Sequence, residues 1–332
     1  MAAQVTGQSG QPDIAYTPNL EIYQQRLKRR QETEELDKTL PDGFPHKLHS
    51  HMAWTSATLS EPDLDEIQQA LDIFKGIASH VTTRRARQDH QFNGRPANVV
   101  LDHIKNLTLK LDAKHIGSPA YTAEQQGFHT DAGDVIALFA LADAAEGGKS
   151  YIASSWTVYN ELAATRPDLI RTLSEPWHVD GFGKSAPTSR PLLFHQAATA
   201  SNPERVIIQY ARRAFTGYWG LPRSSHLPPI TEAQAEALDA LHFTAQKHAL
   251  ALEFQSGDIQ FINNLSILHG RGAFRDTPDK QRHLLRLWLR DDELAWDTPA
   301  ALQSRWRRLF DDVTPESQLF PLEPSIRSTS SA

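Results

Sequence analysis

A histidine and an aspartate stand two residues apart in the segment Gly-Phe-His-Thr-Asp, residues 127–131. Side chains alternate between the two faces of an extended chain, so His129 and Asp131 point to the same side and offer a nitrogen and an oxygen to one cation. A third candidate, His269, lies much later in the chain, just past an apolar stretch that begins at a Gly-Asp turn. Two histidines and a carboxylate are the ligand set that holds non-haem iron(II) and leaves coordination positions open.

The same three ligands also suit the zinc ion of a hydrolase. The usual sequence sign of such an enzyme, His-Glu-x-x-His on a helix, is absent from the chain. The chain has no cysteine, which excludes a thiolate zinc site, a cysteine nucleophile and a disulfide framework. The three residues alone therefore predict a mononuclear metal site and leave iron and zinc open.

Two arginines follow His269 in the segment Arg-His-Leu-Leu-Arg, residues 282–286. On a strand Arg282 and Arg286 face one side, which they share with the apolar Leu284. A guanidinium in an apolar setting needs an anion, because an unpaired buried charge is expensive. Arginine binds a carboxylate through paired hydrogen bonds, so a dicarboxylate ligand fits. An ordinary ion pair with an internal aspartate or glutamate explains the same pattern, and the sequence leaves both open.

The elements that must position these residues are short strands separated by turns, with helices between them. This pattern predicts a mainly β fold, a sandwich or barrel with α insertions. No Gly-x-Gly-x-x-Gly follows a strand, so a dinucleotide-binding fold is not expected. The predicted strands are residues 99–101, 107–109, 135–141, 149–153, 191–194, 205–210, 259–263 and 284–289, and the predicted helices are residues 21–40, 61–74, 158–164, 169–173 and 231–250.

Length and composition predict one large domain in a chain of 332 residues. Residues 1–18 are predicted to be a disordered lead-in, residues 19–320 a single domain with its β core at about 98–290, and residues 321–332 a polar tail. The net charge of −6, with both signs interspersed, gives no basic footprint for nucleic acid. Neither a secretory signal nor an apolar run of membrane-spanning length is present. These observations predict a cytoplasmic protein that binds neither nucleic acid nor a membrane.

Residues from about 126 to 290 resemble the taurine dioxygenase and clavaminate synthase-like (TauD/TfdA-type) group of iron(II)- and 2-oxoglutarate-dependent oxygenases, especially its fungal members. The matching pieces are Phe-His-Thr-Asp at 128–131, Glu-Gly-Gly-Lys-Ser at 146–150, the Gly-Asp turn at 257–258, residues 264–269, and Arg-His-Leu-Leu-Arg at 282–286. Their order and spacing agree with the family, which is more specific than any one piece. The resemblance implies a double-stranded β-helix, or jelly roll, with flanking helices and with the metal at its open end.

The resemblance also implies a role for each matching position. His129, Asp131 and His269 would bind iron(II), with 2-oxoglutarate and O2 as co-substrates. Arg282 would bind the distal carboxylate of 2-oxoglutarate, and Ser150 would give that carboxylate a hydroxyl group.

The substrate side of the site is implied in less detail. Arg286 matches a second arginine, which in relatives lies near the substrate or near the proximal carboxylate of 2-oxoglutarate. Gln126, Phe128 and Trp288 are further candidates for contact with the substrate. A small anionic substrate is expected, such as an amino acid, a sulfonate or a secondary-metabolite intermediate, which is hydroxylated, desaturated or cyclised. Asp131 argues against halogenation, because halogenases of this family lack that carboxylate.

Two other functions are compatible with the same residues: a jelly-roll protein that binds metal without turnover, and a zinc hydrolase. The first is raised by one departure from the family. Relatives usually carry an apolar strand that ends in a Leu-Arg-Gly-like sequence before the His-x-Asp motif, and residues 77–89 do not show it. A homodimer is one assembly compatible with the sequence.

Overall fold

The computed structural model describes residues 10–48, 99–108, 111, 116–182, 187–200, 202–219, 221–291 and 293–324. The predicted helix at 61–74 and the departure from the family at 77–89 lie outside these ranges. Within them, no helix is long and apolar enough to cross a membrane. The predicted division into a lead-in, one domain and a tail stays a prediction.

The described ranges contain fourteen β-strands. In chain order they are β1 (Asp102–Lys105), β2 (Gln126–His129), β3 (Val135–Ala142), β4 (Glu146–Gly147), β5 (Ser150–Ser154), β6 (Trp177–Val179), β7 (Thr188–Arg190), β8 (Leu193–Gln196), β9 (Arg205–Ile208), β10 (Leu250–Leu252), β11 (Ile259–Asn263), β12 (Ile267–Arg271), β13 (Phe274–Arg275) and β14 (His283–Leu289).

Two four-stranded sheets of antiparallel strands lie at the centre of the fold. One has the strand order β1-β14-β3-β11 and the other has the order β10-β5-β12-β2. Ile136 and Ile262 of the first sheet pack with Ile152 of the second in one buried cluster, so the sheets face each other. Along the chain, the core strands repeatedly cross from one sheet to the other, which is the arrangement of a jelly roll. The prediction of a double-stranded β-helix is confirmed.

The helices lie against the outside of this core. They are α1 (Leu20–Thr33), α2 (Ser155–Thr165), α3 (Pro167–Ser174), α4 (Arg213–Thr216), α5 (Glu232–Lys247) and α6 (Ala300–Trp306). The α5 helix begins at a capping box, in which the Thr231 hydroxyl accepts a hydrogen bond from the backbone of Gln234, as its sequence predicts. Leu238, Leu241 and Ala245 of α5 are fully buried, and the helix packs against α1, α2, α3 and β2. Most of the predicted strands and helices inside the described ranges are therefore confirmed.

The structure differs from the predicted strands on either side of β1. Val99 makes only an isolated bridge to Leu319, and residues 107 and 108 are not in a strand. The cause after β1 is Asn106, whose side-chain oxygen accepts hydrogen bonds from the backbone N–H and the hydroxyl of Thr108. Such a local turn competes with strand pairing and ends the strand at Lys105.

Residues 10–18, predicted as part of a disordered lead-in, lie against the domain. The Gln11 amide donates a hydrogen bond to a backbone carbonyl of α4 at 3.0 Å. The guanidinium of Arg212 donates through Nε to the carbonyl oxygen of Ala15 at 2.7 Å. The ring of Tyr16 packs edge-on against Tyr218, with 4.7 Å between the ring centres. Composition alone did not predict these contacts, because the partners lie about 200 residues later in the chain.

Candidate metal centre

The pairing of two strands brings the two histidines together. His129 at the end of β2 lies directly opposite His269 in β12, and their ring centres are 4.2 Å apart. Asp131 follows His129 by two residues. The potential ligand atoms of these three buried residues all lie within 4.8 Å of one another. The structure therefore brings together the three residues that the sequence predicts as metal ligands.

Hydrogen bonds orient the ring of His129. Its Nδ1–H donates to the carbonyl oxygen of Gly127 at 2.9 Å, which leaves Nε2 as the nitrogen with a free lone pair. This Nε2 lies 3.5 Å from Oδ1 of Asp131 and 3.0 Å from the side-chain nitrogen of Gln126. Burial and the neighbouring His129 lower the pKa of His269 to about 3, so that ring is neutral at neutral pH, as a metal ligand must be.

One oxygen of Asp131 is held by two donors from β14. Arg286 Nη1 donates to Oδ2 at 2.6 Å, and the indole N–H of Trp288 donates to the same oxygen at 3.1 Å. Burial alone would raise the pKa of Asp131, but the positive charge of the neighbouring Arg286 holds it well below its usual range. Asp131 is therefore ionised, and its Oδ1 is the oxygen left facing His129.

The backbone of Asp131 is fixed by a buried asparagine. Asn264 accepts a hydrogen bond from the N–H of Asp131 at 2.9 Å and donates to the carbonyl oxygens of Asp131 and Gly133, each at 2.8 Å. Gln209 donates to the same Asp131 carbonyl at 2.7 Å. Asn264 lies in one of the segments that match the family, but the sequence indicated no role for it. Its signal was a polar residue directly after an apolar strand.

Arg286 uses its other terminal nitrogen for a second carboxylate. Nη2 donates to Oδ2 of Asp102 in β1 at 2.6 Å, and Tyr121 donates to the other oxygen of Asp102 at 2.9 Å. The internal ion pair that the sequence left open is thus what the structure shows for Arg286. Trp288, predicted to contact substrate, has its indole N–H directed at Asp131 and lines neither of the two pockets beside the metal site.

Two pockets meet at the three candidate ligands and share Gln126, His129 and Arg286 as lining residues. The first has a volume of about 470 Å³ and includes Asp131. Phe128 and Gln126, predicted to contact substrate, both line it. Arg212, which the sequence offered as a helper of Arg286 in binding an anionic substrate, also lines it, and so do Tyr16, Tyr210 and His242, which the sequence did not indicate.

The second pocket, of about 460 Å³, contains His269 together with Ser150 and Arg282. Arg282 is buried, its Nη1 has no hydrogen-bond partner, and it forms no ion pair with the carboxylates that the structure describes. Burial, followed by the charge of Arg271, lowers its pKa to about 9. The predicted carboxylate-binding pair, Ser150 and Arg282, therefore lies in one pocket beside one of the candidate metal ligands.

A glycine makes room for Arg282 in this pocket. Gly148 has φ +76°, and a Cβ atom there would lie 3.2 Å from Cδ and from Nε of Arg282. A larger residue would be strained at this φ and would press on the guanidinium. The second glycine of the Glu-Gly-Gly-Lys-Ser segment is thus explained by its contact with Arg282.

Comparison with known proteins decides the family. The family model described as "Taurine catabolism dioxygenase TauD, TfdA family" matches residues 54–288. The chain belongs to the TauD/TfdA family. The match includes the three candidate ligands, Ser150, Arg282 and Arg286, whereas residues 10–18 of this TauD/TfdA-family protein lie outside it.

Individual relatives agree with this family. A "Taurine hydroxylase-like protein SAT17" from Stachybotrys chartarum is 38% identical over 263 residues, which cover 76% of this chain and 65% of that protein. An "FR-33289 synthase" from Streptomyces rubellomurinus is 26% identical over 172 residues, 51% of this chain and 50% of that protein. The chain thus spans between half and two thirds of the length of these two relatives. A solved asparagine oxygenase with Fe(II), 3-hydroxyasparagine and succinate has a TM-score of 0.42 at 18% identity, covering 57% of this chain and 56% of that chain.

Proposed function

We propose that this protein is an iron(II)- and 2-oxoglutarate-dependent dioxygenase that oxidises a small molecule bound in the first pocket. The observation that carries this proposal is the position of Arg282. It places an unpaired buried cation in the pocket that contains His269. A metal site with an adjoining carboxylate-binding cation fits a ligand that binds the metal at one end and carries a carboxylate at the other. A zinc hydrolase would leave the buried Arg282 without an anion to bind.

The residues present fit both groups. His129, Asp131 and His269 would hold iron(II), since two neutral imidazoles and one carboxylate are its usual protein ligands in such enzymes. Arg282 and Ser150 would hold the distal carboxylate of 2-oxoglutarate. When bound, iron(II) and 2-oxoglutarate supply the oxidising chemistry, in which O2 and 2-oxoglutarate give succinate and carbon dioxide while a C–H bond of the substrate is oxidised. Arg286 keeps Asp131 ionised for this task.

The first pocket supports a small substrate with both apolar and polar parts. Phe128 offers an apolar wall, and the amide of Gln126 offers a hydrogen bond beside His129. Arg212 lines the pocket as well, and its Nη2 is paired with Asp239 at 2.6 Å, whereas its Nη1 has no hydrogen-bond partner. An amino acid, a sulfonate or a secondary-metabolite intermediate fits this pocket, and the similarity to a taurine hydroxylase-like protein supports a small substrate of this kind. A homodimer and a cytoplasmic location stay predictions.

The proposal is tested by binding in the absence of oxygen. Purified protein supplied with Fe(II) and 2-oxoglutarate should develop the visible absorption band of an iron–2-oxo acid chelate. Asp131→Ala should abolish the band, because it removes a metal ligand. Arg282→Met should shift the half-saturating 2-oxoglutarate concentration upwards by about tenfold or more, because a charge-assisted contact is lost.

A matched control is Asp279→Ala, which removes an exposed carboxylate and should leave the band unchanged. Admission of air should then give succinate from 2-oxoglutarate in an iron-dependent manner. A wild-type protein that binds zinc but gives no band with Fe(II) and 2-oxoglutarate would overturn the proposal. A band without any succinate would favour the metal-binding protein without turnover.

A further inference from the structure

A second buried arginine, Arg271, lines the same pocket as Arg282. It follows His269 by two residues in β12, so the two side chains share a face of the strand. Across the sheet, Arg271 lies directly opposite Ser150 in β5. Residues opposite each other on neighbouring strands also share a face. The metal-ligand candidate, the hydroxyl and Arg271 therefore lie on one wall.

Arg271 is fixed in place on one side and free on the other. Its Nη2 donates to the carbonyl oxygen of Thr122 at 3.1 Å and also to that of Glu124. Its Nε donates to the carbonyl oxygen of Gly272 at 3.3 Å. Its Nη1 is buried and has no partner, and among the carboxylates described Arg271 has no ion-pair partner. An N–H group held in this way is preorganised for a ligand, because few internal rotations remain to be lost on binding.

Arg271 and Arg282 form a pair of like charges. Both guanidinium groups lie over the ring of Phe274, at 4.7 Å and 5.5 Å from its centre. Burial lowers the pKa of Arg271 to about 10, and burial together with the charge of Arg271 lowers that of Arg282 to about 9. Two buried cations without a carboxylate partner destabilise each other until an anion enters between them.

We propose that Arg271 is a second guanidinium for the distal carboxylate of 2-oxoglutarate, acting with Arg282 and Ser150. This inference rests on the proposed function and deepens it. The carboxylate would receive hydrogen bonds from Nη1 of both arginines, so the pocket would favour 2-oxoglutarate over 2-oxo acids that lack the distal carboxylate. Arg271 would bind the ligand as well as hold the loop that contains Thr122 and Glu124.

The test compares two ligands that differ only at the distal end. 2-Oxoglutarate carries a carboxylate there, and 2-oxopentanoate has the same carbon number with a methyl group instead. Dissociation constants are measured without oxygen from the iron–2-oxo acid absorption band, and independently from the ligand-induced rise in melting temperature. Arg271→Met should raise the dissociation constant of 2-oxoglutarate by about tenfold and leave that of 2-oxopentanoate unchanged. Arg271→Lys, which keeps the charge, should restore part of the lost preference.

The control is Arg275→Met, which removes an exposed arginine paired with Glu146 on the adjacent β13. It should affect neither ligand. Equal weakening of both ligands by Arg271→Met would overturn the inference, because it would mean that Arg271 only supports the wall. Unchanged affinity for 2-oxoglutarate would also overturn it. If Arg271→Met does not fold, Arg271→Lys provides the test, because it should still weaken the binding of 2-oxoglutarate more than the binding of 2-oxopentanoate. A wild-type protein without the band would refute the proposed function itself.

Discussion

Asp131 contacts the candidate metal site through one oxygen and the rest of the protein through the other. Arg286 and Trp288 both donate to Oδ2, and Arg286 is itself bound to Asp102. Such contacts fix the orientation of a metal ligand and its protonation state. At this scale Arg286 is a positioning residue, which acts on the metal through Asp131.

We predict that Arg286→Met weakens metal binding by about tenfold to a hundredfold, because it leaves Asp131 without its fixed orientation and counter-charge. The measurement is a titration with Co(II) or Fe(II) in the absence of 2-oxoglutarate. Trp288→Phe is a milder variant that removes one hydrogen bond to Asp131 and should weaken metal binding less. Intact metal affinity combined with weaker binding of 2-oxoglutarate would instead assign Arg286 to the ligand, as the sequence suggested.

Sequence patterns could find those site residues whose chemistry is visible over a few positions. The His-x-Asp motif and the Gly-Gly-Lys-Ser segment are of this kind. Arg282 and Arg286 look equivalent in the sequence, and the ion pairs of Arg286 with Asp131 and with Asp102, 184 positions earlier, distinguish them in the structure. Arg271 and Asn264 were missed for the same reason, because their partners come from loops far away in the chain.

At the scale of elements, the segment of residues 10–18 contributes Tyr16 to the first pocket and is tied to α4 and Arg212. We predict that deletion of residues 1–18 lowers the melting temperature, because it removes these hydrogen bonds and exposes the ring of Tyr218. Deletion of residues 1–9 is the matched control and should have little effect. Thermal unfolding followed by circular dichroism measures both. Equal melting temperatures for the two truncations would show that the segment contributes nothing to stability.

Strands and helices whose sequence pattern lies within their own residues were predictable. A strand whose end is set by a side-chain hydrogen bond was not. The apolar run that became β3 and the capped helix α5 both carry their signals within their own residues. Residues 107 and 108 do not form the predicted strand, because the turn at Asn106 competes for their backbone. The jelly roll itself depended on the family resemblance, since strand order joins residues that are far apart in the chain.

At the scale of the whole molecule, two histidines outside the candidate metal site, the buried His242 and the half-buried His283, couple stability to pH. Burial, together with the charge of Arg212, lowers the pKa of His242 to about 4. Burial and the neighbouring His103 and Lys105 lower the pKa of His283 to about 4 as well. In the unfolded chain both have an ordinary value of 6.5. Between pH 6.5 and 4 the unfolded chain therefore binds protons that the folded protein does not.

We predict that the free energy of unfolding falls as the pH drops through this window and is insensitive to these two groups above it. Urea unfolding at several pH values measures the slope. His283→Gln should make the slope shallower, because it removes one of the groups that bind a proton in this pH window only in the unfolded chain. His178→Gln, at an exposed position of β6, is the control. A slope that His283→Gln does not alter would contradict the assignment.

The two donors on Oδ2 of Asp131 have a consequence for the same pocket without that carboxylate. In Asp131→Ala, Arg286 Nη1 and Trp288 Nε1 would lose their shared acceptor and face the space that the carboxylate leaves. Two N–H donors and a partly uncompensated positive charge are the components of a halide site. Chloride should therefore raise the melting temperature of Asp131→Ala more than that of the wild type, and sulfate at equal ionic strength serves as the comparison. In the wild type, the Asp131 carboxylate would then occupy a position that can bind chloride once the carboxylate is removed.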